Sequence, residues 1–441
     1  MPDVKPSVPI QPQPPAAPAP TPRPAPVTGP WQLRTLLAAP HRLGFFLAMV
    51  VLVAASVWWL LVQSDRVGGW LGLGYVLSPT LAHAAVMVFG FMPLFFSGFL
   101  FTAGPNWLRV EPLPAARLLG PLLLQAGGWL VWLAGVHLGA GLALAGLVLA
   151  CAGLGWMVAL FWQLIGASAV QDRVHARAVG IGGLVGVACL AGTALAVLAG
   201  HDTLALLMVR TALWGFIVVT YVSVAHRMIP FFTANVLPMI ELWRPFWVLW
   251  LMLGVAAFEV LALWVDHAAP SDSAWPLWTV LVIAVELAAG GVLLWLAVVW
   301  GVVQSLKIRL LAMLHVGFAW LGVALVYSAA SQGLWLLTGR PVLGLGALHA
   351  LGMGFLGSIM IAMVTRVSCG HSGRALVADN VVWALFWALQ VAVGVRLVAA
   401  VQGMPLAWTA LAALLWAVVV TAWALRYANW YGRPRIDGKA G

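Results

Sequence analysis

Twelve runs of about twenty or more apolar residues, each closed by charged or Pro/Gly punctuation, follow one another along the chain. No other feature limits its fold so tightly. A helix rising about 1.5 Å per residue needs that length to cross a hydrocarbon core of about 30 Å. The runs fall near residues 43–62, 81–103, 117–137, 139–165, 178–199, 204–228, 243–265, 275–298, 309–331, 341–364, 381–401 and 405–428. Hydrophobic residues make up 63% of the sequence and charged ones 8%, against about 45–50% and about a quarter in soluble domains. The period-2 alternation of a membrane barrel is absent, and helices satisfy every backbone group inside lipid. The expected fold is therefore all-α, a polytopic membrane helix bundle in direct contact with the lipid bilayer.

The basic residues sort by side. Arg34, Arg42, Arg109, Arg117, Arg173, Arg177, Arg227, Arg244, Lys307, Arg309, Arg366, Arg374, Arg433, Arg435 and Lys439 share one side, while the opposite loops hold Arg66 and Arg340. By the positive-inside rule the first set is cytoplasmic, both termini are inside and the helix count is even. The net charge of +10 is spread between apolar runs and forms no stripe, so nucleic acid is not an expected partner. Cys151, Cys189 and Cys369 show neither CxxC nor CxxCH spacing, which argues against a disulfide framework and covalent haem attachment. Residues 1–30 hold twelve prolines and no apolar core of a signal peptide; they read as a disordered cytoplasmic tail preceding one membrane domain over 31–441.

An ionisable side chain at membrane depth costs at least about 2.5–3.5 kcal/mol, so each is a functional candidate. His83 lies near the outer end of the second run, His349 about two turns into the tenth, and His315 about two turns from the inner side on the ninth. Arg210, Glu259 and Arg396 fall in the outer third, and Glu286 near mid-depth. Imidazole is a common metal ligand and the usual axial ligand of haem; its bland role is a hydrogen bond to a neighbouring helix. Small or soft residues lie beneath each histidine: Met87 and Gly90, Ala319 and Gly322, Met353 and Gly357. Gly346, Ala350, Gly354 and Ser358 form a further stripe that suits either a flat macrocycle or helix packing. Two axial pairings stay open, His83 with His349 and His315 with His349. Arg210 and Arg396 suit the two propionates of a haem; alternatively they snorkel outward or pair with Glu259.

Several segments carry a family pattern. Residues 349–374, HALGMGFLGSIMIAMVTRVSCGHSGR, resemble the signature of the NnrS family: a histidine, a Gly-rich helix, then a Thr/Ala-Arg-Val-Ser-x-Gly-His-Thr/Ser-Gly-Arg loop. LHVGFAW at 314–320 is similar to its Leu-His-x-Gly-Tyr/Phe-Ala-Trp helix, and RMIPFFT at 227–233 to its loop after the sixth helix. MVFGFMPLFFSGFLFTAGPNW at 87–107 and the C-terminal RPRIDGKAG also look familial. The resemblance implies a haem- and copper-containing protein of the bacterial inner membrane, linked to nitric oxide, nitrosative stress or denitrification. It offers His83, His315, His349 and His371 as metal ligands. Where many members read His-x-His-Glu-Met, this chain has His83, Ala84, Ala85, Val86 and Met87, so copper is the weaker implication.

Histidines on the second and tenth of twelve helices are also similar to subunit I of haem-copper oxidases. The adjacent histidine pair that those enzymes use for copper has no counterpart here, which disfavours oxidase chemistry. No nucleophile or acid–base constellation identifies an enzyme. A secondary transporter, with Arg210, Glu259, Glu286 and Arg396 along a path, and an accessory membrane factor are the alternative readings.

Overall fold

The computed structural model describes residues 29–237, 239–269 and 276–439, so residues 1–28 of the Pro-rich tail lie outside the described residues. Twelve helices are long and apolar enough to span a membrane. They are α1 (Pro40–Gly68), α2 (Pro79–Leu108), α3 (Ala116–Leu138), α4 (Ala140–Ala167), α5 (Val174–Leu198), α6 (Asp202–Val236), α7 (Phe246–Ala268), α8 (Pro276–Val299), α9 (Arg309–Thr338), α10 (Gly346–His371), α11 (Asn380–Ala399) and α12 (Leu406–Tyr431). All twelve apolar runs are accounted for, and no strand occurs among the described residues.

The helices are not equivalent. About 78% of the apolar stretch of α2 and 72% of that of α10 is buried inside the protein, against 28% for α11 and 39% for α7, α8 and α12. The former are central staves and the latter present a lipid-facing side, where Leu281, Trp295, Val391 and Val418 are exposed. The segment before α1 and the end of α12 meet at one end of the bundle, hereafter the basic end. There the Gln32 amide donates to the Gly432 carbonyl (2.8 Å), and the Trp31 indole to the Ala428 carbonyl. The buried Arg42 guanidinium donates to the carbonyls of Tyr431 (3.0 Å) and Arg433 (2.7 Å).

Two segments expected as loops are helical. RMIPFFT continues α6 to Val236, with Pro230 inside the helix, and α10 runs through Arg366 to His371. A charge ends an apolar run in the sequence without ending the helix when a neighbour takes it up. Here the Arg366 guanidinium lies 3.8 Å from the centre of the Phe232 ring, and that of Arg227 lies 5.1 Å from the Trp107 ring.

The stripe Gly346, Gly354, Ser358 on α10 is a packing seam against α9. A Cβ at Gly346 would meet the Tyr327 ring and one at Gly354 the Trp320 ring, while one at Gly317 would stand 3.0 Å from Ser358 Cβ. The Trp320 indole is pinned by the Gln390 side-chain carbonyl (2.8 Å), whose amide in turn donates to Ser358 (3.0 Å). Gly354→Ala is therefore expected to destabilise the protein by about 1–3 kcal/mol, read as a lower melting temperature in detergent. An unchanged melting temperature would mean that Trp320 is free to yield.

Three π-helical turns interrupt the α-helices: Val86–Gly90 in α2, Leu213–Val218 in α6 and Ala350–Gly357 in α10. Gly90, Gly215, Gly352, Gly354 and Gly357 fall in them, and Pro93, which lacks an N–H, follows the first closely. A π turn adds a residue to the helical turn and re-aims the side chains around it, and such turns concentrate at functional sites.

Candidate functional site

The π turns share one destination. A cavity of about 200 Å³, counted as space open to the centres of water-sized spheres, lies between α2, α6 and α10 toward the end opposite the basic one. Its wall includes Met87 and Val88 from the first π turn, Leu213 from the second, and Gly352, Met353 and Leu356 from the third. The same wall holds His83, His349, Arg210 and Arg396. His83 and His349 face a common space, and His315 is not among its lining residues.

The two imidazoles are held differently. The Nδ1 of His349 lies 2.9 Å from the Leu345 carbonyl oxygen. A carbonyl only accepts, so Nδ1 carries the proton and Nε2 is left with its lone pair. Histidines that bind metals commonly carry this tautomer, with the other ring nitrogen donating to a carbonyl. The His83 ring has no hydrogen bond among the described residues, and its Nδ1 is buried without a partner. It is held by stacking on the Trp59 indole, with ring centroids 3.9 Å apart and planes 11° from parallel. The Arg66 guanidinium lies 5.3 Å from the same indole.

The arginines of the cavity are unpaired. The ion pairs among the described residues are Arg426–Asp379 and Arg435–Asp437, so neither Arg210 nor Arg396 is neutralised by Glu259. Glu259 is buried with one carboxylate oxygen unpartnered, and Glu286 accepts from the Gln332 amide (2.8 Å). Neither carboxyl lines the cavity. Arg210 is exposed and Arg396 half-buried, and both border a largely apolar space.

His315, His371, His41, His175 and His226 lie nearer the basic end. Thr233 donates its hydroxyl to the Ile229 carbonyl (2.8 Å), so the His315 Nε2, 2.9 Å from that hydroxyl oxygen, must be the donor. His315 Nδ1 is then an unprotonated, buried nitrogen without a partner. The His371 ring lies 4.6 Å from that of His41. His175 and His226, which the sequence suggests are solvated or interfacial, are 2% and 1% exposed. His226 Nε2 donates to the Pro245 carbonyl (3.1 Å), and its free Nδ1 accepts from His175 Nε2 (2.9 Å). Each ring gives the other the partner that lipid would deny it. Among the described residues no three His, Cys, Asp or Glu side chains gather as a metal site.

The recognised sequence segments converge at the basic end. RMIPFFT meets LHVGFAW through Thr233 and His315, the 349–374 segment through Phe232 and Arg366, and the 87–107 segment through Arg227 and Trp107. Ser368 shares a 2.6 Å hydrogen bond with the hydroxyl of Tyr431. Gly373 has a φ of 75°, which suits glycine, and a Cβ there would strike the Asp437 carboxylate. Asp437 accepts twice from Arg435 (2.9 and 2.6 Å), which holds its carboxyl well below the usual carboxylate range. A depressed carboxyl stabilises the folded state above its ordinary value of about 3.9 and ceases to as pH falls through the folded value. The C-terminal turn should thus stay docked at neutral pH and loosen in strong acid, read as faster amide exchange at Ile436, which bonds to the Ser372 carbonyl. Protection unchanged in Asp437→Ala would refute that role.

A search of curated proteins returns no match. The family model described as NnrS protein matches residues 35–435, which takes in every membrane-spanning helix but the first few and last few residues of the described chain. With its recognised segments packed against one another and the match running nearly end to end, this multi-pass membrane protein belongs to the NnrS family.

Proposed function

We propose that the protein binds haem in the cavity between α2 and α10, with His83 and His349 as axial ligands and Arg210 and Arg396 holding the propionates. The observation that carries this reading is the shared wall: two imidazoles and two unpaired arginines line one otherwise apolar space. Their chemistry fits haem. His349 presents a lone-pair nitrogen, His83 lacks any competing hydrogen bond, and Gly352 leaves room, since a Cβ there would meet nothing within 4 Å. Haem would supply one-electron chemistry and an iron able to take nitric oxide, which accords with a role in the response to nitric oxide or nitrosative stress in a bacterial cytoplasmic membrane.

The residues divide the work. His349, fixed by the Leu345 carbonyl, and His83, stacked on Trp59, would be the two side chains that hold the group. Copper, also implied by the resemblance, lacks a comparable donor set, because His315 and His371 lie away from the cavity and from any third ligand. A transporter reading would need Glu259 and Glu286 beside the two arginines, and neither carboxyl is among the residues that line this cavity.

A visible spectrum of protein purified under haem-replete conditions tests the reading. A Soret band with six-coordinate low-spin features supports it, and a stable, colourless preparation would sink it. Replacing both Arg210 and Arg396 with alanine removes two positive charges that favour the reduced-side balance of the iron. The midpoint potential should fall by at least about 59 mV, the equivalent of a tenfold change for one electron. A potential unmoved in the double variant would show that the arginines serve another group.

A further inference from the structure

One turn closer to the basic end, between α1, α2, α6 and α10, lies a second cavity of about 50 Å³. Phenylalanines 45, 95, 96 and 99 line it with Tyr221, Met360 and Met363. The phenolic oxygen is the one polar side-chain atom of that lining, and it is already used, donating to Met92 Sδ at 3.1 Å. A water molecule needs two to four polar partners to settle in a protein interior, whereas dry apolar cavities take up apolar guests such as xenon. Phe45, Phe95, Tyr221 and Met360 are nearly fully buried, whereas Phe96, Phe99 and Val224 are half-buried, so the space has a packed inner wall and a side toward the outside of the bundle by which an apolar guest could enter.

Its position gives it a use. Met92 lines the larger cavity and Tyr221 the smaller, so their hydrogen bond stands between the two. Phe91 and Phe95, one helical turn apart on α2 with ring centroids at 6.4 Å, continue the same partition. Both methionine and phenylalanine change rotamer without breaking a strong bond, which makes this wall yielding. We propose that the smaller cavity is a holding site for a small uncharged gas molecule, a diatomic such as nitric oxide or dioxygen, which passes to the larger cavity past Tyr221 and Met92. Such molecules dissolve in the bilayer core, carry no charge to satisfy and need no hydrogen bond. Holding the gas requires only the apolar lining; delivery to an iron rests on the haem reading.

Crystals of the full-length protein pressurised with xenon test the holding site without regard to haem. Xenon density among Phe95, Phe99 and Met363 is expected, and its loss in Val224→Phe, which adds a ring to the lining, is the matching control. Should that variant fail to fold, Phe99→Trp fills the same space. An empty cavity under xenon, ordered water or an acyl chain in its place, or xenon retained in a folded filled variant, would each overturn the proposal. Delivery is read separately, by flash photolysis of nitric oxide from haem-loaded protein. A slow recombination phase that disappears in the filled variant supports the route, and kinetics identical in both proteins refute it. Xenon bound by a protein that proves to carry no haem would leave the cavity assignment standing and remove only the delivery step.

Discussion

His349→Ala should leave the purified protein with less than about a tenth of its haem, a loss of at least about 1.4 kcal/mol in binding. His349 is the ligand that the fold prepares: its Nδ1 proton is committed to the Leu345 carbonyl, its Nε2 is free, and it stands where a π turn begins to turn α10. His83→Ala should behave differently. That ring stacks on Trp59 and its Nδ1 has no hydrogen-bond partner, so its loss should convert a six-coordinate spectrum to a five-coordinate one while much of the haem is retained. His315→Ala and His371→Ala remove side chains from outside the cavity and should change stability more than colour. Haem per protein, measured after extraction, distinguishes the four. Full haem content with an unaltered spectrum in His349→Ala would reject the pairing.

Gly352→Leu should produce a comparable loss of haem by an opposite route, adding a group instead of removing a ligand. Gly352 lines the cavity, its φ is not in the left-handed region, and nothing lies within 4 Å of where its Cβ would be. The side chain should enter the space intended for a macrocycle without disturbing the packing on α9, which uses the neighbouring Gly354. Compared with haem-free wild type, the variant should keep its stability to within about 0.5 kcal/mol, as surface substitutions usually do. Comparison with loaded wild type would mislead, because a ligand that binds only the folded state raises apparent stability by mass action. A variant that folds and still loads haem normally would place the cofactor elsewhere.

The twelve spans were legible because hydrophobic length is a local property, and helix polarity followed from where the arginines fell. Helix ends were less so. At Arg227 and Arg366 the charge is absorbed by Trp107 and Phe232, partners far away in sequence, and the helices run on. His83, His349, Arg210 and Arg396 could be singled out as costly at membrane depth, but their meeting in one cavity depends on how α2, α6, α10 and α11 pack, which no spacing encodes. The π turns left only scattered glycines and Pro93 as a trace. His175 and His226 read as solvated or interfacial residues among basic ones, yet both are buried and joined by a hydrogen bond inside the bundle.

Arg42 sets a condition on biogenesis. Its acceptors, the carbonyls of Tyr431 and Arg433, lie 389 and 391 residues further on. During synthesis α1 enters the bilayer with that guanidinium still lacking its partners, and it keeps them waiting until α12 has been threaded. The seam between the two helices therefore cannot close before the end of the chain is made, and a chain truncated before α12 would leave this cation without its two carbonyl acceptors.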